Sequence, residues 1–166
     1  MSDRTTGFQG LTALVTGASS GIGAATAIAF GSKGAHVLVH YNRQEEQANQ
    51  VLAAVRRAGA EGELVQADLS HMAGVHALIS ALAGRRIDIL VNNSGSLIRR
   101  TPLLEFTEDL WDQVLTLNLT SVFFLSQAVV AGMAERKSGV IVNVSSIAAL
   151  NGGARARSPM PPPRAL

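Results

Sequence analysis

The sequence has no cysteine. Disulfide stapling and thiolate chemistry are therefore excluded, and the composition fits a cytoplasmic setting. Charge is also scarce: 16% of residues are charged and the net charge is +2. The basic residues are scattered apart from pairs such as Arg56-Arg57 and Arg99-Arg100, so no continuous surface for nucleic acid is encoded. No metal site is expected. Long apolar runs are missing too. The longest, near Val122 to Met133, is broken by Ser126, Gln127 and Gly132 and is too short to span a bilayer. The opening MSDRTTGFQG has no apolar signal core.

What is present is apolar and rich in glycine. The 166 residues are 47% hydrophobic with 16 glycines, the composition of one globular domain with a large core. The stretch Leu11 to Gly23, LTALVTGASSGIG, reads as a buried strand, a glycine turn and the start of a helix. Glycines permit positive φ and close approach of a ligand. A helix N-terminus supplies unpaired N–H groups and partial positive charge. Together they suit a phosphate. The usual GxGxxG spacing is absent, and no Gly-Lys-Ser/Thr follows as in a P-loop. An ordinary glycine-containing turn is the alternative, and the rest of the chain has to decide.

Ala24 to Lys33 reads as a first helix ended by Gly34, and HVLVHY (His36 to Tyr41) as a second strand. Gln44 to Arg57 has helical spacing. Glu63 to Ala67 is a third strand, and Ser70 is the expected N-cap of a helix over Met72 to Ala83. Ile87 to Val91 is a fourth strand. Thr107 is the expected N-cap of one long helix reaching about Glu135, with Glu108 and Asp109 in its first turn. Gly139 to Ser145 is a fifth strand, apolar on both faces as in a covered sheet. Regular alternation of strand and helix predicts an α/β fold, an open doubly wound parallel sheet with helices on both faces. Ligands bind such sheets beyond the carboxyl ends of the strands. The loops beginning at Thr16, Asn42, Asp68, Asn92 and Ser145 all lie there, and they carry the unusual polar residues.

These loops hold TGASSGIG (Thr16–Gly23), ADLS (Ala67–Ser70), NNSG (Asn92–Gly95), NLTSVF (Asn118–Phe123) and VNVSS (Val142–Ser146). In this order and register the chain resembles the short-chain dehydrogenase/reductase family, single-domain Rossmann type, from about Gly10 to Gly153. The resemblance implies strand order 3-2-1-4-5 and a nicotinamide cofactor. It places that cofactor against Gly17, Ser19, Ser20, Gly21, Ile22 and Gly23, then Asn42 and Arg43, Asp68 and Leu69, and Asn93, Ser94 and Gly95. Relatives usually carry Ala at the Ser94 position. The carboxylate of Asp68 can accept from an adenine amine, or cap a helix. Arg43 ends the second strand where NAD-preferring relatives carry an acid. A guanidinium there suits a 2′-phosphate, so NADP(H) is favoured over NAD(H), with a solvated surface Arg as the alternative. Asn118 and Ser146 take the family's catalytic Asn and Ser positions; the alternative for Asn118 is a satisfied core amide. The implied reaction moves a hydride between NADP(H) and a small-molecule carbonyl or alcohol. Intact relatives are homo-oligomeric.

The family's tyrosine and lysine, in a YxxxK pattern, are missing. The only tyrosine is Tyr41, no lysine follows Lys137, and the position expected for the tyrosine holds Pro159. Residues 154–166 form a Pro/Arg-rich tail unlike residues 1–153, and a Pro-rich run cannot form the helix the family places there. Codons for Ser158 to Ala165 can be chosen that read, in the neighbouring frame, Gln-Ser-Tyr-Ala-Ala-Ser-Lys-Gly, which restores YxxxK. The tail is therefore expected to be the product of a frameshift near Gly153 to Arg157 that truncates the chain and unpairs the edge of the fifth strand. A genuine short variant is the alternative. The chain is expected to be inactive and weakly stable; the other functional reading is a non-catalytic NADP(H)-binding module.

Overall fold

The computed structural model describes residues 7–151. Five parallel strands form one sheet: β1 (Thr12–Val15), β2 (His36–Tyr41), β3 (Gly62–Gln66), β4 (Ile89–Asn92) and β5 (Val140–Asn143). Their order is β3-β2-β1-β4-β5 and every pairing is parallel, as expected. The order turns back beside β1, so a crevice opens beyond the carboxyl ends of β1 and its neighbours.

Helices α1 (Gly21–Ser32) and α2 (Glu45–Arg57) lie on one face. With them Ala13, Val15, Val37, Val39, Ile89 and Val91 form one buried cluster. α3 (Met72–Leu82) and α5 (Ser121–Glu135) cover the other face, where Leu14, Leu38 and Leu90 pack with Val75, Leu78, Leu125 and Val129. The period-2 alternation of strand side chains sends odd and even residues of β1, β2 and β4 to these two cores.

Several local expectations are corrected. α1 begins at Gly21, not Ala24, so the glycine motif itself forms the first helical turn. Ser70 does not cap α3; its hydroxyl bonds Asp68 Oδ1 at 2.6 Å and the cap position is His71. The helix from Thr107 is not uniform. Thr107 caps α4 (Glu108–Leu115) by accepting from Leu110 N, as expected. A π-helical turn, Thr116–Thr120, then joins α4 to α5. By length and composition alone the run Glu108–Glu135 suffices to cross a bilayer, more than the interrupted stretch 122–133 suggested. Leu125, Val129 and Met133 nevertheless pack it onto the sheet. β5 is covered on one face only: Ile141 joins the α3/α5 core, whereas Val140 and Val142 are 54% and 43% exposed. Among the described residues no helix covers that side, and β5 is the sheet edge.

At the opposite ends of the strands a buried carboxylate ties the sheet together. Asp88, 3% exposed, accepts from Thr12 N at 3.0 Å and Arg86 Nε at 2.8 Å, with Arg136 Nη2 at 3.8 Å. Burial pushes its carboxyl up, but the Thr12 amide and the two guanidiniums outweigh that and hold it below the usual range.

Candidate functional site

The strand-end loops enclose a cavity of about 560 Å³. Gly17, Ser19, Ser20, Asn42, Arg43, Asp68, Leu69, Asn93, Ser94 and Gly95 all line it, so most of the expected cofactor residues are brought together. Gly21, Ile22, Gly23, Asn118 and Ser146 do not line it. Sequence reasoning missed His40, Gln44, Ser96 and Gln113, which do.

The glycine turn is built for backbone exposure. Gly17 (φ +62°) and Gly21 (φ +55°) occupy the left-handed region that favours glycine. Gly23 is glycine for another reason: a Cβ there would overlap the Gly17 carbonyl and the Asn93 amide. Around Gly21 the space is open. The first amides of the turn are spoken for, since Gly17 N donates to His40 Nδ1 (3.1 Å) and Ala18 N to His40 O (2.8 Å). The amides of Ser19, Ser20, Gly21, Ile22 and Gly23 donate to no group among the described residues. Successive free N–H groups at a helix head form an anion cradle. Ile22 stands 66% exposed above it.

Thr16 locks this turn to the next strand. Its hydroxyl, 1% exposed, accepts from Asn93 N and Ser94 N, both at 2.9 Å, and lies 3.3 Å from Val91 O. Asn93 reciprocates: its Nδ2 donates to the Thr16 and Gly17 carbonyls at 2.9 and 3.2 Å. The Asn pair is thus not a bare strand-ending turn; Asn93 clips two loops together, while Asn92 Nδ2 reaches Asn143 Oδ1 across β4 and β5 at 2.9 Å.

At the far end of the cavity, Ser70 N and Oγ both donate to Asp68 Oδ1. Burial raises the Asp68 carboxyl, yet the Ser70 and Asn42 hydrogen bonds and nearby His71 bring it below the usual range. It is an anion at neutral pH. Leu69 is 2% exposed and its side chain belongs to the core, so only its backbone can face a ligand. Arg43 is exposed beside Gln44, whose Oε1 accepts from Ser19 Oγ at 2.9 Å.

Asn118 is not a core amide. It is exposed, in the π-helical turn, and its side chain clamps the loop after β4: Nδ2 donates to Ser96 O at 2.7 Å, and Oδ1 accepts from Ser96 N at 3.1 Å. Ser146 is exposed beyond β5, and its Oγ accepts from Ala148 N. Tyr41 is 8% exposed within the α1/α2 core, so it offers no acid or base to the cavity. Residues 152–166, including Pro159 and the whole of the 154–166 tail, lie outside the described residues.

With this geometry in place, comparison with known proteins is decisive. Residues 11–158 match the short chain dehydrogenase family. The chain belongs to that family. It is 42% identical over 142 residues to a 3-oxoacyl-[acyl-carrier-protein] reductase of Synechocystis, a match spanning 84% of this chain and 57% of that protein. Among solved structures, a metagenomic short-chain oxidoreductase in complex with NADP superimposes with TM-score 0.78 at 38% identity, over 85% of this chain and 63% of the other. An NADH-dependent reductase of alginate metabolism gives TM-score 0.79 at 31% identity, over 89% and 63%. The chain therefore spans a little over half the length of the curated relative it matches, and a nicotinamide cofactor is the family's common feature across these structures. The crevice fits such a group: an anion cradle with five free amides, open space over Gly21, and a cavity running on to Asp68.

Proposed function

We propose that this chain binds NADP(H) in the crevice and forms the cofactor half of an oxidoreductase acting on a small-molecule carbonyl or alcohol. The observation that carries this reading is the row of free amides from Ser19 to Gly23 at the head of α1, whose first two residues, Ser19 and Ser20, line a cavity that also reaches Arg43 and Asp68. The pyrophosphate would take those amides. The Arg43 guanidinium would hold a 2′-phosphate, since no carboxylate ends β2 to hold a ribose hydroxyl instead. Asp68 and the Leu69 backbone would meet the adenine, and Asn93, Ser94 and Gly95 the ribose. When bound, the cofactor supplies the hydride. Asn118 would keep the loop after β4 in place through Ser96, and Ser146 would present a hydroxyl to the substrate oxygen.

The 166 residues hold no tyrosine outside the β2 core and no lysine after Lys137. A phenol acting as a base must reach the substrate, and the Tyr41 ring lies in the α1/α2 core. This favours a second reading for these residues: cofactor binding without turnover. We also propose that 154–166 stands apart from the cofactor domain of 1–153 and carries a shifted reading frame. The coding DNA from Ser145 onward checks this: a neighbouring frame that yields YxxxK supports it, and one that does not ends it.

The cofactor reading is tested by calorimetric titration of the chain with NADPH and with NADH. NADPH should bind about tenfold or more tighter, and Arg43→Asp should abolish that preference. Absence of binding to either would overturn the reading; equal affinity for both would overturn the role of Arg43. A ketone-reduction assay with NADPH should show no turnover.

A further inference from the structure

We propose that His40 is a positioning residue of the crevice, fixing the height of the phosphate turn through the Gly17 amide. This rests on the cofactor reading above and extends it to a residue outside the turn. His40 is on β2 and 2% exposed. Its ring spans three strands. Nδ1 accepts from Gly17 N at 3.1 Å, just past β1, and Nε2 lies 3.2 Å from the Ala67 carbonyl, just past β3. A backbone N–H can only donate and a carbonyl can only accept. The ring is therefore the neutral Nε2–H tautomer, with both nitrogens engaged. The His40 carbonyl adds a third tie by accepting from Ala18 N at 2.8 Å.

These bonds divide the turn into two parts. The amides of Gly17 and Ala18 are consumed by His40, and those from Ser19 to Gly23 stay free. The ring thus sets where the free row begins. Through Ala67 it also sets the spacing between the turn and Asp68, the next residue on the cavity's far wall. An apolar side chain would leave the part-buried Gly17 N–H without its acceptor, and an unsatisfied amide there would draw the turn out of place. The neutral state agrees with this geometry: burial pushes the imidazole down to about 4, against the Ala67 carbonyl and the charge of Asp68, which pull it up.

Two near-isosteric substitutions separate the ring's two bonds. In His40→Asn the amide oxygen can stand where Nδ1 stands and keep the Gly17 acceptor. In His40→Gln the polar end stands near Nε2 and Gly17 loses its acceptor. Both are measured in the full chain by NADPH titration, thermal melting and hydrogen exchange of the Gly17 amide. His40→Asn should bind NADPH within about twofold of the parent, and His40→Gln about tenfold more weakly, with Gly17 exchange accelerated only in His40→Gln. Melting should fall comparably in both, because each loses one bond. Affinity that follows melting temperature rather than Gly17 protection would make His40 merely structural and overturn the proposal. If the parent binds no NADPH, the cofactor reading fails and so does a positioning role; Gly17 exchange then shows separately whether the tie itself exists.

Discussion

Acidification within a narrow window should destabilise the fold through His40. Folding holds this imidazole at about 4 instead of its ordinary 6.5, chiefly by burial. A group whose pKa is lowered by folding takes its proton preferentially in the unfolded chain. Its contribution is complete above about pH 6.5 and is lost as the pH falls toward 4. Integrating between these two values gives a loss of about 2 kcal/mol by about pH 5, and about 3 kcal/mol below pH 4. The carboxylates Asp68, Asp88 and Glu63 are all held below their usual range. Their contributions persist above the ordinary carboxylate range and disappear only below it, so they leave the His40 window clear. Urea denaturation followed by circular dichroism, at about pH 7.5 and about pH 5, measures the loss. His40→Asn cannot titrate, so its loss over the same interval should be smaller by about 2 kcal/mol. Equal losses in the two chains would refute the burial and tautomer assigned to this ring.

Other outcomes follow from single contacts. Asp88→Asn removes the charge facing Arg86 and Arg136 while keeping the shape; it should lower unfolding free energy by about 3 kcal/mol, and a change under about 0.5 kcal/mol by the same urea assay would contradict the buried tie. Gly23→Ala puts a methyl into the Gly17 carbonyl, so NADPH affinity in a calorimetric titration should drop at least about tenfold. Gly21→Ala meets open space and should lose only about 1 kcal/mol of stability, from its positive φ.

The sheet order followed from the family resemblance, whereas the parallel sheet and the cavity wall were legible because they depend on local chemistry repeated along the chain. Each strand ends where an apolar run gives way to glycine, Asp or Asn, and those ends converge in any doubly wound sheet. Polar side chains with partners far along the sequence were not legible. Thr16 reads as part of a glycine motif, yet its hydroxyl gathers amides from Asn93 and Ser94. His40 reads as one residue of a strand; the signal was a titratable group in an otherwise buried run, which demands partners. Ser70 looked like a helix cap, but Asp68 two residues earlier is the stronger acceptor and takes its hydroxyl. The π-helical turn at Thr116–Thr120 has no periodic signature, because one extra residue per turn leaves the apolar pattern on either side intact. β5 misled because an apolar alternation on both faces encodes a covered strand, whereas among residues 7–151 only its Ile141 side is covered.

The central claim is that the strand-end crevice is a cofactor site headed by the free amides of the glycine turn. Backbone amide chemical shifts of the labelled chain, followed by nuclear magnetic resonance during NADPH titration, test it most directly. The account predicts that the largest shifts fall on Ser19 to Gly23, with further shifts at Asn42, Arg43, Asp68, Leu69 and Asn93 to Gly95. Saturating NADPH that leaves Ser19 to Gly23 unmoved, or that shifts a surface elsewhere, would contradict it.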